Sequence, residues 1–414
     1  MDFAKERVTK KFDVEKIRAD FPMLKQKVNG KPLVYLDNSA SSQKPQVMID
    51  RLCDFYTNEY AKIDEIHSLS KKATENYEQA RGKVAKLINA HDAKEIIFER
   101  GATEALSRLA NSFARSILKE GDEILITAME HHSNLVPWHI ACGESGAKLK
   151  VAPINEKGEL LLDEFESKLT ERTKVVAVTH VSNVLGTINP IKQICEMAYE
   201  RNIRTVIDGA QSAAHLPVDV QDLNCDFYAV SGHKMGGPSS VGFLYGKAAW
   251  LDRLPPIEGG SVMAETVTFE DFETKPLPKK IEAGTPSFAE AIAYGAAVDY
   301  WSNLGLENIA EYEKELLAYA TEKVRAIDRV KIIGEAQDKI SVLSFTIDGI
   351  EPNKIEETLD KEGIAIRSGT LSAQPLMKVL GVSGVARASF MFYNTPEEAA
   401  ALAAGIEKCI KAAG

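Results

Sequence analysis

Thr205-Val-Ile-Asp-Gly-Ala-Gln211 is a short β-branched run that ends in an acid and a turn. Six similar apolar runs surround it: Glu95–Phe98, Glu123–Thr127, Lys148–Ala152, Val175–Thr179, Phe227–Val230 and Gly242–Tyr245. Several are rich in valine and isoleucine and lack strict polar–apolar alternation. Such runs suit strands covered on both faces, as in a mostly parallel sheet. Amphipathic helical patterns separate them, so the reading is an α/β protein with a mostly parallel seven-stranded sheet. Outward from this block, residues 73–88 place Ala73, Tyr77, Ala80, Val84 and Leu87 on one helical face. A helix and the turn Asn29-Gly30-Lys31-Pro32 come before it. The Pro- and Lys-rich stretch Lys275–Lys280 interrupts the pattern. Helices are expected around 287–303 and 306–327. Strand-like runs follow at Ile340–Thr346, Gly363–Arg367 and Ala386–Phe392. In the closing helix Ala399, Leu402, Ile406, Cys409 and Ile410 share a face. The expected division is a large domain over 31–295 and a smaller C-terminal α/β domain over 296–414. An N-terminal segment, 1–30, is expected to pack against the small domain.

The chain has 414 residues, 44% of them hydrophobic and 27% charged, enough to bury a substantial core. A formal net charge of −10 argues against a general nucleic-acid binder, which needs a basic face. Met1–Arg7 carries no apolar signal core, and no apolar stretch approaches the roughly 20 residues that span a bilayer. A cytoplasmic location without membrane contact is expected. Cys53, Cys142, Cys195, Cys225 and Cys409 are scattered, and none forms a C-x-x-C pair. A disulfide framework or metal site is not expected, and each is read as a small buried apolar residue.

Open parallel sheets bind ligands beyond the carboxyl ends of their strands. Three chemically distinct groups fall at such ends. Asp208 follows Thr205–Ile207, Lys234 follows Phe227–Val230, and His131 follows Glu123–Thr127. Taken singly, each has a plain structural reading. Asp208 could cap the next helix, and Lys234 could be a solvated loop residue. His131 and His132 point apart in a strand or turn and lack partners at metal-ligand spacing. Together they match what a pyridoxal enzyme requires. That set is an amine for a Schiff base and for proton transfer at the α-carbon, a carboxylate against the pyridinium nitrogen, and a flat group on the ring. Gly101-Ala-Thr-Glu104 opens a long helical pattern, and such a helix start with a threonine hydroxyl suits a phosphate.

The chain resembles the class V aminotransferases, in the cysteine desulfurase and selenocysteine lyase branch. The resemblance rests on Tyr35-Leu-Asp-Asn38, Met129-Glu-His-His-Ser-Asn134 and Thr179-His-Val-Ser-Asn-Val-Leu-Gly-Thr187. It continues in Asp208-Gly-Ala-Gln211, Cys225-Asp-Phe-Tyr228, Ser231-Gly-His-Lys234, Glu282-Ala-Gly-Thr-Pro286 and Ala386-Arg-Ala-Ser389. These stretches run in family order from about residue 20 to 410. The resemblance implies pyridoxal-phosphate fold type I. It makes Lys234 the cofactor-linked lysine, Asp208 the partner of the ring nitrogen and Gln211 a contact to the ring oxygen. His131 would stack on the ring, with Asn183 beside the substrate. Ala102, Thr103, Ser231 and His233 would hold the phosphate. Thr285 would reach the phosphate of a second subunit in a homodimer with shared sites. Arg387 would grip the substrate α-carboxylate as a two-pronged fork, with Arg367 nearby.

The departures from the family pattern fall on the substrate side. The branch's Arg-Thr-Gly-His-His-Cys-Ala-x-Pro loop reads Arg367-Ser-Gly-Thr-Leu-Ser-Ala-Gln-Pro375 here, with Ser372 at the cysteine position. A hydroxyl is far less acidic than a thiol and cannot accept sulfur as a persulfide. Ser372 is therefore expected to line the site and not to attack. A basic His-Arg pair becomes Asp64-Glu65. Facing the pocket, these acids would repel an anionic side group; alternatively the shortened loop has withdrawn. Gly236 replaces an aromatic, which is expected to enlarge the pocket, and Ser287 replaces an asparagine. The resulting expectation is an amino-acid lyase of desulfurase type that uses no persulfide cysteine. Transamination, racemisation or epimerisation, β-decarboxylation, a desulfurase with another thiol, and an inactive scaffold stand as alternatives. A sulfur-acceptor partner is left open.

Overall fold

Every apolar run of the 95–250 block lies in a strand of one sheet. The structure, a computed structural model, describes residues 13–413. The first twelve positions of the N-terminal segment, Met1–Arg7 among them, lie outside the described residues. The strands are β1 (Ile96–Glu99), β2 (Glu123–Thr127), β3 (Lys148–Ala152), β4 (Thr173–Thr179), β5 (Arg204–Asp208), β6 (Phe227–Ser231) and β7 (Gly242–Gly246). Their order is β1-β7-β6-β5-β4-β2-β3. Every pairing is parallel except those of β7, which runs antiparallel to β1 and β6.

Successive residues of one strand enter opposite cores, which is why the runs do not alternate with polar residues. Ile97, Ile124, Ile126, Val175, Ala177, Val206 and Phe227 pack into one apolar cluster. Ile96, Leu125, Val176, Val178, Ile207 and Tyr228 pack into the other. Full burial of each large aliphatic side chain is worth about 1.5–3 kcal/mol. A one-residue slip of register would exchange the two sets.

The helix Ser68–Leu87 buries Ala73, Tyr77, Ala80 and Val84, and packs on Phe288–Leu304. That second helix runs unbroken across positions 295 and 296, so the expected domain boundary falls inside it. Beyond Leu306–Arg325, four antiparallel strands form a second sheet. They stand in the order Val330–Ile333, Val342–Ile347, Val385–Ser389, Arg367–Gly369. Val34–Tyr35 pairs in parallel with Ile364–Ala365. Phe21 packs edge-on against Tyr300, Trp301 and Phe392, and Arg18 pairs with Glu398 at 2.8 Å. The N-terminal segment thus reaches the C-terminal part of the fold.

Cys195, Cys225 and Cys409 are buried as expected. Cys53 is exposed and Cys142 half-buried, so for these two the sequence expectation is corrected. Among the described residues no helix is long and apolar enough to cross a membrane.

Candidate active site

A cavity of about 490 Å³ opens at the carboxyl ends of the parallel strands. Thr103 enters it from the first turn of the helix that follows β1, His131 from the turn after β2, and Asn183 from the loop after β4. Asp208 ends β5, while Ser231, His233 and Lys234 follow along the end of β6. Gln211, Arg367, Ser372 and Arg387 complete the part of the wall that matters here. Strand direction delivers five of these stretches to one end of the large sheet, and Arg367, Ser372 and Arg387 reach the same space from the second sheet and its loop.

Burial pushes the Lys234 amine down to about 8; Asp208 opposes the shift, and the Arg387 and Arg367 charges reinforce it. A lysine near 8 carries a usable neutral fraction at physiological pH, which a nucleophile or base needs. Asp208 is raised by burial, against the pull of Lys234 and the Ala210 N–H that donates to its Oδ1 at 3.0 Å. A cation placed against this acid would relieve it. His131 is brought down to about 4, first by burial and then by Lys234. Its Nδ1 accepts from the Ser133 N–H at 3.1 Å, which places the proton of the neutral ring on Nε2. Ser133 Oγ in turn pairs with Thr103 Oγ1 at 2.7 Å, linking the His131 turn to the helix Ala102–Ser116.

That helix begins at Gly101, whose φ of 150° is open essentially to glycine alone. A Cβ there would stand 3.1 Å from Ser231 Oγ. The close approach lets Ser231 Oγ accept the Ala102 N–H at 2.9 Å. Ala102 lines the cavity, but its donor is already engaged. Thr103, Ser231 and His233 present polar side chains at this end, beside Ser133 and Ser239.

Arg387 is 2% exposed. Its Nη1 donates to Asn183 O at 2.9 Å and its Nη2 to Asp37 Oδ1 at 3.0 Å. Nε has no partner among the described residues. One N–H of each terminal nitrogen is thus engaged by the protein, and one on each, with the Nε–H, is left for a ligand. Asn183 donates from Nδ2 to Leu371 O at 2.9 Å, and the His132 N–H donates to Ser372 O at 2.8 Å. These bonds dock the Ser372 loop onto the cavity rim. Leu371 and Ser372 both take left-handed conformations, φ 52° and 56°. Ser372 itself is exposed, and none of the five cysteines lines the cavity.

Three features read from the sequence lie apart from this chain's own cavity. Asp64 and Glu65 do not line the cavity: Asp64 pairs with Lys279 at 2.7 Å and Glu65 with Lys62 at 2.7 Å. Their loop folds back on the helix it precedes. Ser70 Oγ accepts the Glu65 N–H at 2.8 Å and donates to Lys62 O at 2.6 Å, and His67 caps the helix. Within its own chain the loop does not reach the cavity. Thr285 is exposed and lines a neighbouring groove with Arg100, Arg108 and Glu258. Gly236 does not enlarge the pocket. With φ 68°, its Cβ would lie 2.4 Å from the Trp301 ring, so the indole fills the space of the missing aromatic.

Two contributors escaped the sequence reading. Asp37 stood only inside a matched stretch, and Lys44 stood in none. Lys44 Nζ donates to the carbonyl of His233 at 2.8 Å, beside the Ser42 N–H at 3.2 Å, and so fixes the peptide before Lys234. Nothing in the local pattern marks a contact over such a separation.

Pyridoxal 5′-phosphate fits this set. An amine, a buried acid, a neutral imidazole and a helix N-terminus with hydroxyl donors converge in a space of suitable size for a small cofactor, roughly 300–1,000 Å³. Comparison with known proteins agrees. The family described as aminotransferase class-V matches residues 34–402. A probable cysteine desulfurase of Halalkalibacterium halodurans is 45% identical over 397 residues, covering 96% of this chain and 98% of that protein. A cysteine desulfurase of Synechococcus elongatus is 46% identical over 398 residues. That match takes in 96% of this chain, which spans only 64% of that longer protein. Among solved structures, the cysteine desulfurase CsdA (S-sulfonic acid) of Escherichia coli superposes with a TM-score of 0.91 at 35% identity. The superposition covers 97% of this chain and 100% of that one. The chain accordingly belongs to the class V aminotransferase family, with the fold type I architecture and pyridoxal 5′-phosphate as its cofactor.

Proposed function

We propose that the chain is a cytoplasmic, homodimeric enzyme that removes a β-substituent from an amino acid without a persulfide cysteine. The observation that carries this reading is Ser372 on the cavity rim, in a cavity that no cysteine lines. Bound pyridoxal phosphate supplies an electron sink that makes bonds at the substrate α-carbon labile. Lys234 holds the cofactor through its Nζ, then takes and returns the α-proton. Asp208 keeps a positive charge on the ring nitrogen, and Gln211 donates toward the ring oxygen. His131, as a neutral imidazole, would pack against the cofactor ring. Thr103, Ser231 and His233 hold the phosphate, with Thr285 of a second copy. Arg387 and Arg367 receive the α-carboxylate and Asn183 orients the substrate. Ser372 and the docked loop wall the side-chain end. The leaving group must depart unaided and leave its bonding pair on the β-carbon, which a proton then fills to give alanine, as when a sulfinate departs as sulfur dioxide or a selenol as elemental selenium, because no thiol is placed to take it.

The second reading is an ordinary cysteine desulfurase with a thiol supplied from elsewhere. The identity of 45–46% to proteins so named favours it. Product analysis separates the two. With cysteine sulfinate or selenocysteine, alanine formation is expected in the wild type and absent in Lys234→Ala. With L-cysteine, neither the wild type nor Ser372→Cys is expected to form alanine above the Lys234→Ala background. The variant thiol sits on a docked loop that lacks the two histidines of the family pattern. Robust turnover of L-cysteine by the wild type would overturn the first reading in favour of the second.

A further inference from the structure

The carboxylate end of the cavity holds more charge than the functional reading uses. Asp37 places Oδ1 3.0 Å from Arg387 Nη2 and Oδ2 3.1 Å from Arg367 Nε. One carboxylate thus bridges two guanidinium groups. The side chains differ in burial: Arg387 is 2% exposed, Asp37 14% and Arg367 52%. Burial works against the charge on Arg387, and Asp37 is the largest influence that restores it. Tyr35, beside the cluster, is pushed up to about 12 by burial and then by Asp37, so its phenol stays neutral and adds no second anion.

We propose that Asp37 is the specificity-determining residue of this subsite. It fixes both arginines and cancels one of their two charges, so that the subsite receives a single carboxylate. The inference rests on the functional reading above, in which these arginines meet the substrate. The geometry carries it in two ways. Arg387 is anchored at both terminal nitrogens, by Asp37 and by Asn183 O, which leaves the buried Nε–H without a partner. Arg367 is tied through Nε to the same acid, so its guanidinium is turned toward Asp37. With charges of +1, +1 and −1, the cluster carries a net +1. One α-carboxylate neutralises it. A second carboxylate on the substrate side chain then meets a cluster with no net charge left, and the Asp37 charge repels it. A side chain that carries a second carboxylate is the class this subsite disfavours.

The test is Asp37→Asn in the cofactor-loaded enzyme. Dissociation constants are read from the change in visible cofactor absorbance on titration with L-alanine and with L-aspartate. The asparagine keeps the shape and removes the charge, so Arg367 is released to a second carboxylate. The preference for alanine over aspartate is expected to fall by about tenfold or more, a size typical for one partly screened charge. Equal weakening of both ligands would mean a merely structural role and would overturn the proposal. If Asp37→Asn does not fold, Arg367→Gln decides. Its cluster is neutral, so both ligands should weaken and aspartate more than alanine; equal weakening again overturns the proposal. A wild type whose spectrum answers to neither amino acid overturns the functional reading itself, and this inference with it.

Discussion

Lys234→Ala is expected to bind pyridoxal phosphate without a covalent link and to lose at least about a thousandfold in turnover. Two effects combine in that loss. The cofactor loses the amine that holds it, and the α-carbon loses the only lysine that lines the cavity. Borohydride should then fail to fix the cofactor to the chain, while dialysis removes it. The fold should be little changed. The Lys234 amine makes no hydrogen bond among the described residues, and the peptide before it is held at the His233 carbonyl by the Ser42 N–H and Lys44 Nζ, contacts that survive truncation. Retained turnover in this variant would mean that another group moves the proton.

Glu282→Ala is expected to be the most destabilising single change outside the site, by about 3–5 kcal/mol, measured by urea unfolding. The reason is the partner it abandons. Arg81 is 1% exposed and donates to Glu282 at 2.7 and 3.0 Å. The Phe98 N–H and Tyr77 OH donate to the same carboxylate at 2.8 and 3.3 Å. Without the acid, Arg81 keeps only Ile96 O and the half-exposed Glu78. A double variant, Arg81→Met with Glu282→Leu, should cost much less, since no uncompensated charge is left buried. Equal losses in the single and double variants would show that packing, not charge, sets the penalty. The family-like stretch Glu282-Ala-Gly-Thr-Pro286 therefore opens with a residue whose contacts are structural.

The sequence carries the sheet and the cofactor end of the site for one physical reason: both are written locally. A strand covered on both faces reads as an apolar run, and its last residues are displayed at the cavity by strand direction alone. Asp208, Lys234 and His131 are legible in that way. The substrate end is built from contacts far apart in the chain, and no local pattern encodes them. Asp37 meets Arg367 and Arg387 only after the short strand Val34–Tyr35 pairs with Ile364–Ala365. Trp301 replaces the aromatic missing at Gly236 from a helix more than sixty positions away. The Asp64–Glu65 loop folds onto the helix that follows it because Thr74 and Ser70 accept its backbone N–H groups. The hairpin Ala264–Val267 and Phe272–Thr274 was invisible for another reason. Its exposed Val267, Phe269 and Phe272 give no buried face to create a periodic signal.

Reactivity alone does not choose the cofactor lysine. Burial brings Lys44 and Lys339 down to about 8, as it does Lys234. Position chooses, since neither of the other two lines the cavity. The direct measurement is borohydride reduction of the cofactor-loaded protein, followed by digestion and mass spectrometry of the labelled peptide. The expected result is one pyridoxyl group on Lys234. A label on Lys44, on Lys339 or on no lysine would contradict the account.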